Sequence, residues 1–162
     1  VSCSLHKALR QIGAETLIKW PNDLLTNKME KLCGVLIERK SFAGRSYDLI
    51  GIGLNISESP QAVHASHLAA LIKPAPSRDL VLLEIIHELV LDLELFSKAG
   101  WSSFRDYWLK HTLPLDAEIA FNSPTGKVSG SFKGISELGE LQILISGKLE
   151  TFSSGDLILV AS

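Results

Sequence analysis

Three short apolar runs near the start of the chain, each ending in glycines or polar side chains, limit what it can fold into. They occupy residues 16–20, 31–38 and 47–56, and Pro-Asn-Asp at 21–23 follows the first of them. Proline fixes φ, and Asn and Asp side chains bond their own backbone, so this tripeptide predicts a sharp turn. The runs are nearly continuous in apolar residues, which predicts strands covered on both faces. Polar groups at the ends of such strands are where a sheet can build a small-molecule site.

Apolar residues at helical spacing predict helices over residues 1–12, 68–72, 78–99 and 101–111. In the longest of these, Ser77 is the predicted N-cap. A helix buries its apolar face, so we expect the polar face of this helix, with Glu84, Glu88 and Asp92, to be exposed. The residues of its predicted apolar face are Leu80, Leu83, Ile86, Val90, Leu93 and Phe96.

Beyond residue 114 the pattern changes to short β-prone segments separated by turns. Five such segments in about fifty residues predict a small β-barrel or SH3-like sheet. They lie at residues 117–121, 126–132, 139–145, 148–151 and 157–160. We therefore predict an α+β domain over residues 1–112, followed by a small all-β domain over residues 113–162.

Composition narrows the class of protein. Apolar residues make up 46% and charged residues 21% of the chain, which is typical of a globular protein with a real core. The net charge of −2 gives no electrostatic argument for binding nucleic acid or an anionic membrane. Cys3 and Cys33 have neither metal-ligand spacing nor a disulfide pattern, which fits a reducing cytosol and predicts a cytoplasmic location. Cys33 falls inside a predicted strand, where we expect an inert thiol.

Three motifs of the first domain resemble the catalytic core of the biotin–protein ligases. They are Lys-Trp-Pro-Asn-Asp at residues 19–23, Lys-Leu-Cys-Gly-Val-Leu at residues 31–36, and Gly-Ile-Gly-Leu-Asn at residues 51–55. Their order and spacing match the family, and the first motif matches its signature without a departure. The resemblance implies a class II synthetase-like catalytic sheet with helices.

The tail resembles the C-terminal SH3-like domain of the same family. The matching stretches are Gly-Lys-Val-Ser-Gly at residues 126–130, Lys-Gly-Ile at 133–135 and Gly-Glu-Leu at 139–141. Ser136 departs from the pattern, because the family often has an acidic residue after Gly-Ile. With the tail included, the resemblance covers essentially the whole chain.

The resemblance also implies an activity and its reactants. Family members use ATP to activate biotin as biotinyl-AMP, and then transfer biotin to a lysine of the biotin carboxyl carrier protein of acetyl-CoA carboxylase. The implied small molecules are biotin, ATP and Mg²⁺, and a homodimer is a further implied assembly. No membrane partner is indicated.

Lys31 and Gly34 are the residues that the resemblance implies on the biotin side. The ammonium of Lys31 would lie beside the biotin carboxylate and the α-phosphate of ATP, where it neutralises two anions that must approach each other. Gly34 would let the backbone come close to the biotin rings. From the residues alone, a lysine such as Lys31 is more often a solvated turn residue than a functional one, and Gly34 could mark a β-bulge.

Asn22, Asp23 and Asn55 are implied on the nucleotide side. Asp23 could supply an oxygen to a phosphate-bound Mg²⁺, or it could help to deprotonate the acceptor lysine. An amide such as that of Asn55 can both donate and accept, and it needs a partner if it is buried. Without the resemblance, Asn22 and Asp23 form a turn, and Asn55 ends a strand by bonding a neighbouring turn.

Two alternatives accompany this reading. A lipoate-type ligase or octanoyltransferase shares the fold, but the motif at residues 19–23 argues against it. A non-catalytic remnant or interaction module is the second, because the arginine- and glycine-rich biotin loop of the family would lie before residue 1. We therefore read the chain as a ligase lacking its N-terminal part. We expect residues 1–162 alone to bind biotin and ATP poorly, and their exposed sheet edge to recruit a partner strand.

Overall fold

Two antiparallel sheets and four helices form the part of the chain that the computed structural model describes, which is residues 1–61, 64–123 and 126–159. The helices are α1 (Ser2–Gln11), α2 (Leu68–Leu71), α3 (Arg78–Ala99) and α4 (Ser102–Lys110). The strands are β1 (Thr16–Lys19), β2 (Asp23–Thr26), β3 (Lys31–Phe42), β4 (Arg45–Leu54), β5 (Glu118–Ser123), β6 (Gly126–Ile135), β7 (Leu141–Ile145), β8 (Lys148–Phe152) and β9 (Asp156–Leu159). None of the described helices is long and apolar enough to cross a membrane.

The first sheet is an antiparallel meander in the order β1-β2-β3-β4. The predicted turn around residues 21–23 joins β1 to β2. Strands β3 and β4 form a longer hairpin than predicted, because only two residues connect them. Ala43 and Gly44 have φ values of 50° and 74°, and positive φ at both central residues suits a two-residue hairpin turn. Helix α1 packs on β1 and β2, which buries Ile18 and Leu24 completely.

The prediction that both faces of these strands are covered is wrong for the outer half of the β3–β4 hairpin. Ile37 and Phe42 are 54% and 76% exposed, whereas Val35 is buried. The pairing of β2 with β3 ends where Asp23 faces Gly34, so β3 continues beyond that point with β4 as its hydrogen-bonded neighbour. A two-stranded ribbon of this kind has little against which to bury its side chains.

Helix α3 buries a different face from the one that the sequence predicts. Its N-cap is Ser77 as predicted, with the hydroxyl accepting the Leu80 N–H at 3.2 Å. The predicted polar face is buried at Glu88 and Asp92, however. All six residues of the predicted apolar face are exposed large hydrophobics: Leu80, Leu83, Ile86, Val90, Leu93 and Phe96.

An ion pair between α1 and α3 explains this orientation. Helix α3 packs on α1, where the Lys7 ammonium lies 2.6 Å from Asp92 Oδ1. The same ammonium lies 5.4 Å and 5.2 Å from the ring centroids of Phe104 and Tyr107 on α4. A buried carboxylate is tolerated when a cation pairs with it, so the Asp92 face can turn inward. The aromatic face predicted for the last helix is confirmed at Phe104 and Trp108, which are both buried.

The second sheet contains all five strands of the tail, in the order β8-β7-β6-β5-β9. This arrangement of helices and a first sheet followed by an all-β tail confirms the predicted fold class. Trp20 joins the two sheets, because its indole N–H donates to Gly139 O at 3.0 Å. Residues 111–112 run alongside β1, where the Thr112 hydroxyl donates to Ile18 O at 2.7 Å. The division of the chain after residue 112 stays a prediction.

His6 is a buried polar residue that the sequence did not single out. Its Nε2 lies 3.0 Å from Thr16 O and its Nδ1 lies 2.7 Å from the Tyr107 hydroxyl. Since the carbonyl can only accept, Nε2 carries the proton and Nδ1 accepts from the tyrosine. Burial, reinforced by the nearby His111, lowers the pKa of His6 to about 4. The imidazole is therefore neutral in the folded protein at neutral pH.

This depressed pKa predicts a loss of stability in mild acid. Between pH 6.5 and 4 the unfolded chain binds a proton at His6 that the folded protein does not, so the free energy of unfolding falls with pH by up to about 3 kcal/mol. His6→Gln, whose amide does not titrate, should remove this component. Denaturant unfolding of both proteins at several pH values measures it, and equal slopes over this range would contradict the assignment.

Candidate functional site

A row of four residues crosses the first sheet and defines one wall of a cleft. Lys19 pairs with Asp23 across β1 and β2, Asp23 with Gly34 across β2 and β3, and Gly34 with Gly53 across β3 and β4. The row thus runs from charged residues to glycines within one sheet. The cleft has a volume of about 770 Å³, and it is lined by Lys19, Asn22, Asp23, Lys31, Gly34, Val35, Leu36, Gly51, Ile52, Gly53 and Asp156.

Asp23 is the buried charge at the centre of this row. It is 8% exposed, and its Oδ1 lies 2.7 Å from the Lys31 ammonium. Its other oxygen, Oδ2, lies 3.6 Å from the Lys19 ammonium. The two oxygens of one carboxylate therefore face two different cations, which offsets the desolvation of the buried charge.

The two lysines differ in their access to the cleft. The Lys31 side chain is 49% exposed, whereas that of Lys19 is 12% exposed. Lys31 can therefore meet a ligand, while Lys19 is held among protein groups. Its ammonium lies 3.1 Å from Asp156 Oδ1 at the start of β9, so the tail contributes a carboxylate to this cleft.

Lys19 lies in one of the three motifs but had no predicted role, and Asp156 was not among the predicted site residues. The sequence did contain a signal that Lys19 would lie opposite Asp23. Two antiparallel strands joined by a short turn bring residues four apart in sequence opposite each other. Asp156 has no comparable signal. It reaches the cleft only because the second sheet packs beside the first.

Gly34 lies against the Asp23–Lys31 ion pair. A Cβ atom at this position would lie 3.2 Å from Asp23 Oδ1 and equally close to Lys31 Cε and Nζ. The pairing of β2 with β3 is irregular between Leu24 and Leu25, and this irregularity does not involve Gly34. A side chain at position 34 would therefore crowd the ion pair, so Asp23 or Lys31 would have to shift.

Asn22 also lines the cleft, where it fixes the turn after β1 against β3. Its side-chain amide donates to Val35 O at 2.6 Å, and the Val35 N–H donates to Asn22 O at 2.9 Å. Two hydrogen bonds between the same residues hold the turn rigidly. Lys31, Asp23, Gly34 and Asn22 are thus brought together at one cleft.

Asn55 lies outside the residues that line this cleft. Its amide donates to Ser66 O at 2.9 Å, and the Ser66 N–H donates to Lys31 O at 2.9 Å. Asn55 and the backbone of Lys31 therefore hold the same segment. The arrangement agrees with a strand-end asparagine that organises a neighbouring turn.

The cleft is a poor fit for a directly bound metal ion. Within the described residues there is no group of three or more His, Cys, Asp or Glu side chains that could hold one. Both oxygens of Asp23 face ammonium groups, so a cation there would have to displace a lysine. Cys33 is no substitute, since burial, reinforced by the negative charge of Asp23, raises the pKa of its thiol to about 12.

Comparisons with known proteins agree with this fold. The family model for the biotin protein ligase C terminal domain matches residues 115–160. A biotin–[acetyl-CoA-carboxylase] ligase of Mycobacterium tuberculosis is 29% identical over 148 residues, covering 90% of this chain and 53% of the relative. One from Paracoccus denitrificans is 30% identical over 139 residues, covering 80% of this chain and 57% of the relative.

A solved structure extends the similarity over nearly the whole chain. The biotin protein ligase from Aquifex aeolicus in complex with biotin and ATP superimposes with a TM-score of 0.84 and 26% identity, covering 99% of this chain and 69% of that one. These similarities confirm the resemblance of the motifs to the biotin protein ligases. It spans about half the length of the curated relatives it matches.

The crowding at Gly34 predicts the effect of adding one methyl group. Gly34→Ala should lower the free energy of unfolding by about 1 kcal/mol, because the methyl must either crowd Asp23 or displace Lys31. Gly53→Ala is the matched control in the same row, since its Cβ would meet nothing closer than Gly34 O at 3.8 Å. Denaturant unfolding compares the two variants, and equal stabilities would show that the ion pair does not restrict Gly34.

Proposed function

We propose that this chain carries the substrate-activation site of a biotin–[acetyl-CoA-carboxylase] ligase. The observation that carries the proposal is the Lys31 ammonium, which is half exposed in a cleft that three glycines help to line. Two relatives are named as ligases of this kind, and the Aquifex protein binds biotin and ATP. Biotin and ATP are accordingly the proposed substrates.

The proposed reaction has two steps. A carboxylate oxygen of biotin attacks the α-phosphorus of ATP, and pyrophosphate leaves, so that biotinyl-AMP forms as a mixed anhydride. The amine of a carrier-protein lysine then attacks the activated carbonyl, and AMP leaves. The first step brings two anions together, and Lys31 would stabilise the charge that builds up as they meet.

The glycines and asparagines have supporting roles in this proposal. Gly34 would let the backbone approach the biotin rings, because any side chain there would enter the space beside Lys31. Asn22 would shape the nucleotide side by holding its turn against β3. Asn55 would act indirectly on Lys31. Its amide holds the segment at Ser66, which is hydrogen-bonded to the Lys31 backbone.

Asp23 would act through its charge. We favour contact with the acceptor amine over direct binding of Mg²⁺, because its oxygens already face two ammonium groups. Mg²⁺ would then accompany the ATP phosphates, as it usually does. The lysine of the biotin carboxyl carrier protein is the proposed acceptor, and a homodimer is a proposed assembly, for which the β4 edge is the exposed strand.

Replacing Lys31 tests this function. Lys31→Ala in the complete protein should slow biotinyl-AMP formation by roughly 10²-fold, which is the ~3 kcal/mol typical of a lost preorganised electrostatic group. Folding should change little, because the Lys19 ammonium still pairs with Asp23. Pyrophosphate release measures the step. Release at the wild-type rate by the variant would refute the role of Lys31, and no release by the wild-type protein would favour the non-catalytic alternative.

The two half-reactions separate the roles of Asp23. If Asp23 receives the acceptor amine, Asp23→Asn should form biotinyl-AMP normally but transfer biotin slowly to the carrier. If it instead supports Mg²⁺, adenylate formation should slow and its Mg²⁺ requirement should rise. Single-turnover measurement of each step decides between them, and no change in either step would leave Asp23 with a structural role in β2 only.

A further inference from the structure

Lys19 is a cation held between two carboxylates from different sheets. Its ammonium lies 3.6 Å from Asp23 Oδ2 and 3.1 Å from Asp156 Oδ1. With Lys31 on the other side of Asp23, four alternating charges form a continuous chain. Only the Lys31 end of that chain has a cation that is substantially exposed.

The tail fixes the far end of this chain of charges. Asp156 begins β9 and lies opposite Asn122 of β5. Gly155 precedes it with φ of +140°, and a Cβ there would come within 2.3 Å of Phe121 Cζ and 2.5 Å of Asn122 O. The backbone approaches β5 so closely that only glycine fits. The backbone at Asp156 is therefore fixed against β5, and its carboxylate, which is 64% exposed, lies beside the Lys19 ammonium.

This geometry matters when Lys31 binds a ligand. In the proposed reaction Lys31 turns toward anionic substrates, which weakens its contact with Asp23. A buried carboxylate that loses its cation is strongly destabilised. Asp23 avoids that cost only if a second cation remains beside it, and Lys19 is in place to be that cation.

We propose that Lys19 is a positioning residue, which neutralises Asp23 while Lys31 is engaged with the substrates, and that Asp156 of the tail holds it there. The inference rests on the proposed function. It gives the tail a specific part in substrate binding at the first sheet. It also explains why a cation that is largely buried accompanies the exposed one.

Steady-state kinetics of adenylate formation by the complete protein test this inference. Lys19→Met should raise KM for biotin about tenfold, equivalent to 1.4 kcal/mol, with kcat little changed because Lys31 still acts once engaged. The melting temperature without substrates should stay close to wild type, since Lys31 still pairs with Asp23. Lys19→Arg should restore KM, and Asp156→Asn should raise it by a smaller factor.

A double-mutant cycle and a control complete the experiment. In an Asp23→Asn background, Lys19→Met should have no further effect on KM, because a neutral amide needs no counter-ion. Lys98→Met is the matched control, because Lys98 forms an exposed ion pair with Glu94 on α3 and does not line this cleft. Its KM for biotin should equal that of the wild type.

Three results would overturn the inference while the proposed function stands. These are an unchanged KM in Lys19→Met, an equal rise in KM in the Asp23→Asn background, or a large drop in melting temperature that Lys19→Arg does not repair. Absence of biotinyl-AMP formation by the wild-type protein would instead overturn the proposed function, and this inference with it.

Discussion

The indole of Trp20 is the contact that fixes the two sheets relative to each other. It is buried, its N–H donates to Gly139 O at 3.0 Å, and its ring lies 5.9 Å from that of Phe121. Trp20 directly follows β1, so the contact also sets where the end of that strand lies against the tail. The neighbouring Lys19 reaches Asp156 across this joint. A buried aromatic residue thus lies where the two sheets meet, beside the lysine that pairs with the tail.

Local signals predicted the elements of the first sheet well, because turns have strong residue preferences. β1 ends within one residue of its predicted end, before Pro21 and Asn22, and Ser77 caps α3 as predicted. The buried face of α3 was not predictable in the same way. Apolar residues occupy most of its circumference, so hydrophobicity does not select one face. The choice is made by Lys7 of another helix, whose ammonium pairs with Asp92.

The candidate site likewise contains residues that local motifs predicted and one that only the packing of the sheets brings in. Lys31, Asp23 and Gly34 were named from motifs. They meet at one cleft because Asp23 and Gly34 are in register across β2 and β3, and the Lys31 side chain reaches Asp23. Asn55 was named from the same kind of evidence, yet it bonds Ser66 outside the lining of the cleft. Asp156 comes from the other sheet, more than a hundred residues away. Contacts of that range depend on how the sheets pack, which no local pattern encodes.

Burial of both cysteines has a practical consequence for experiments on this protein. Cys3 and Cys33 are its two cysteines, both are buried, and burial raises the pKa of their thiols to about 11 and about 12. Thiol reagents act on exposed thiolates, so neither should compete for a label. A cysteine introduced on the exposed β3–β4 hairpin could therefore carry a fluorophore or spin label in an otherwise native sequence, and report directly on what approaches that surface.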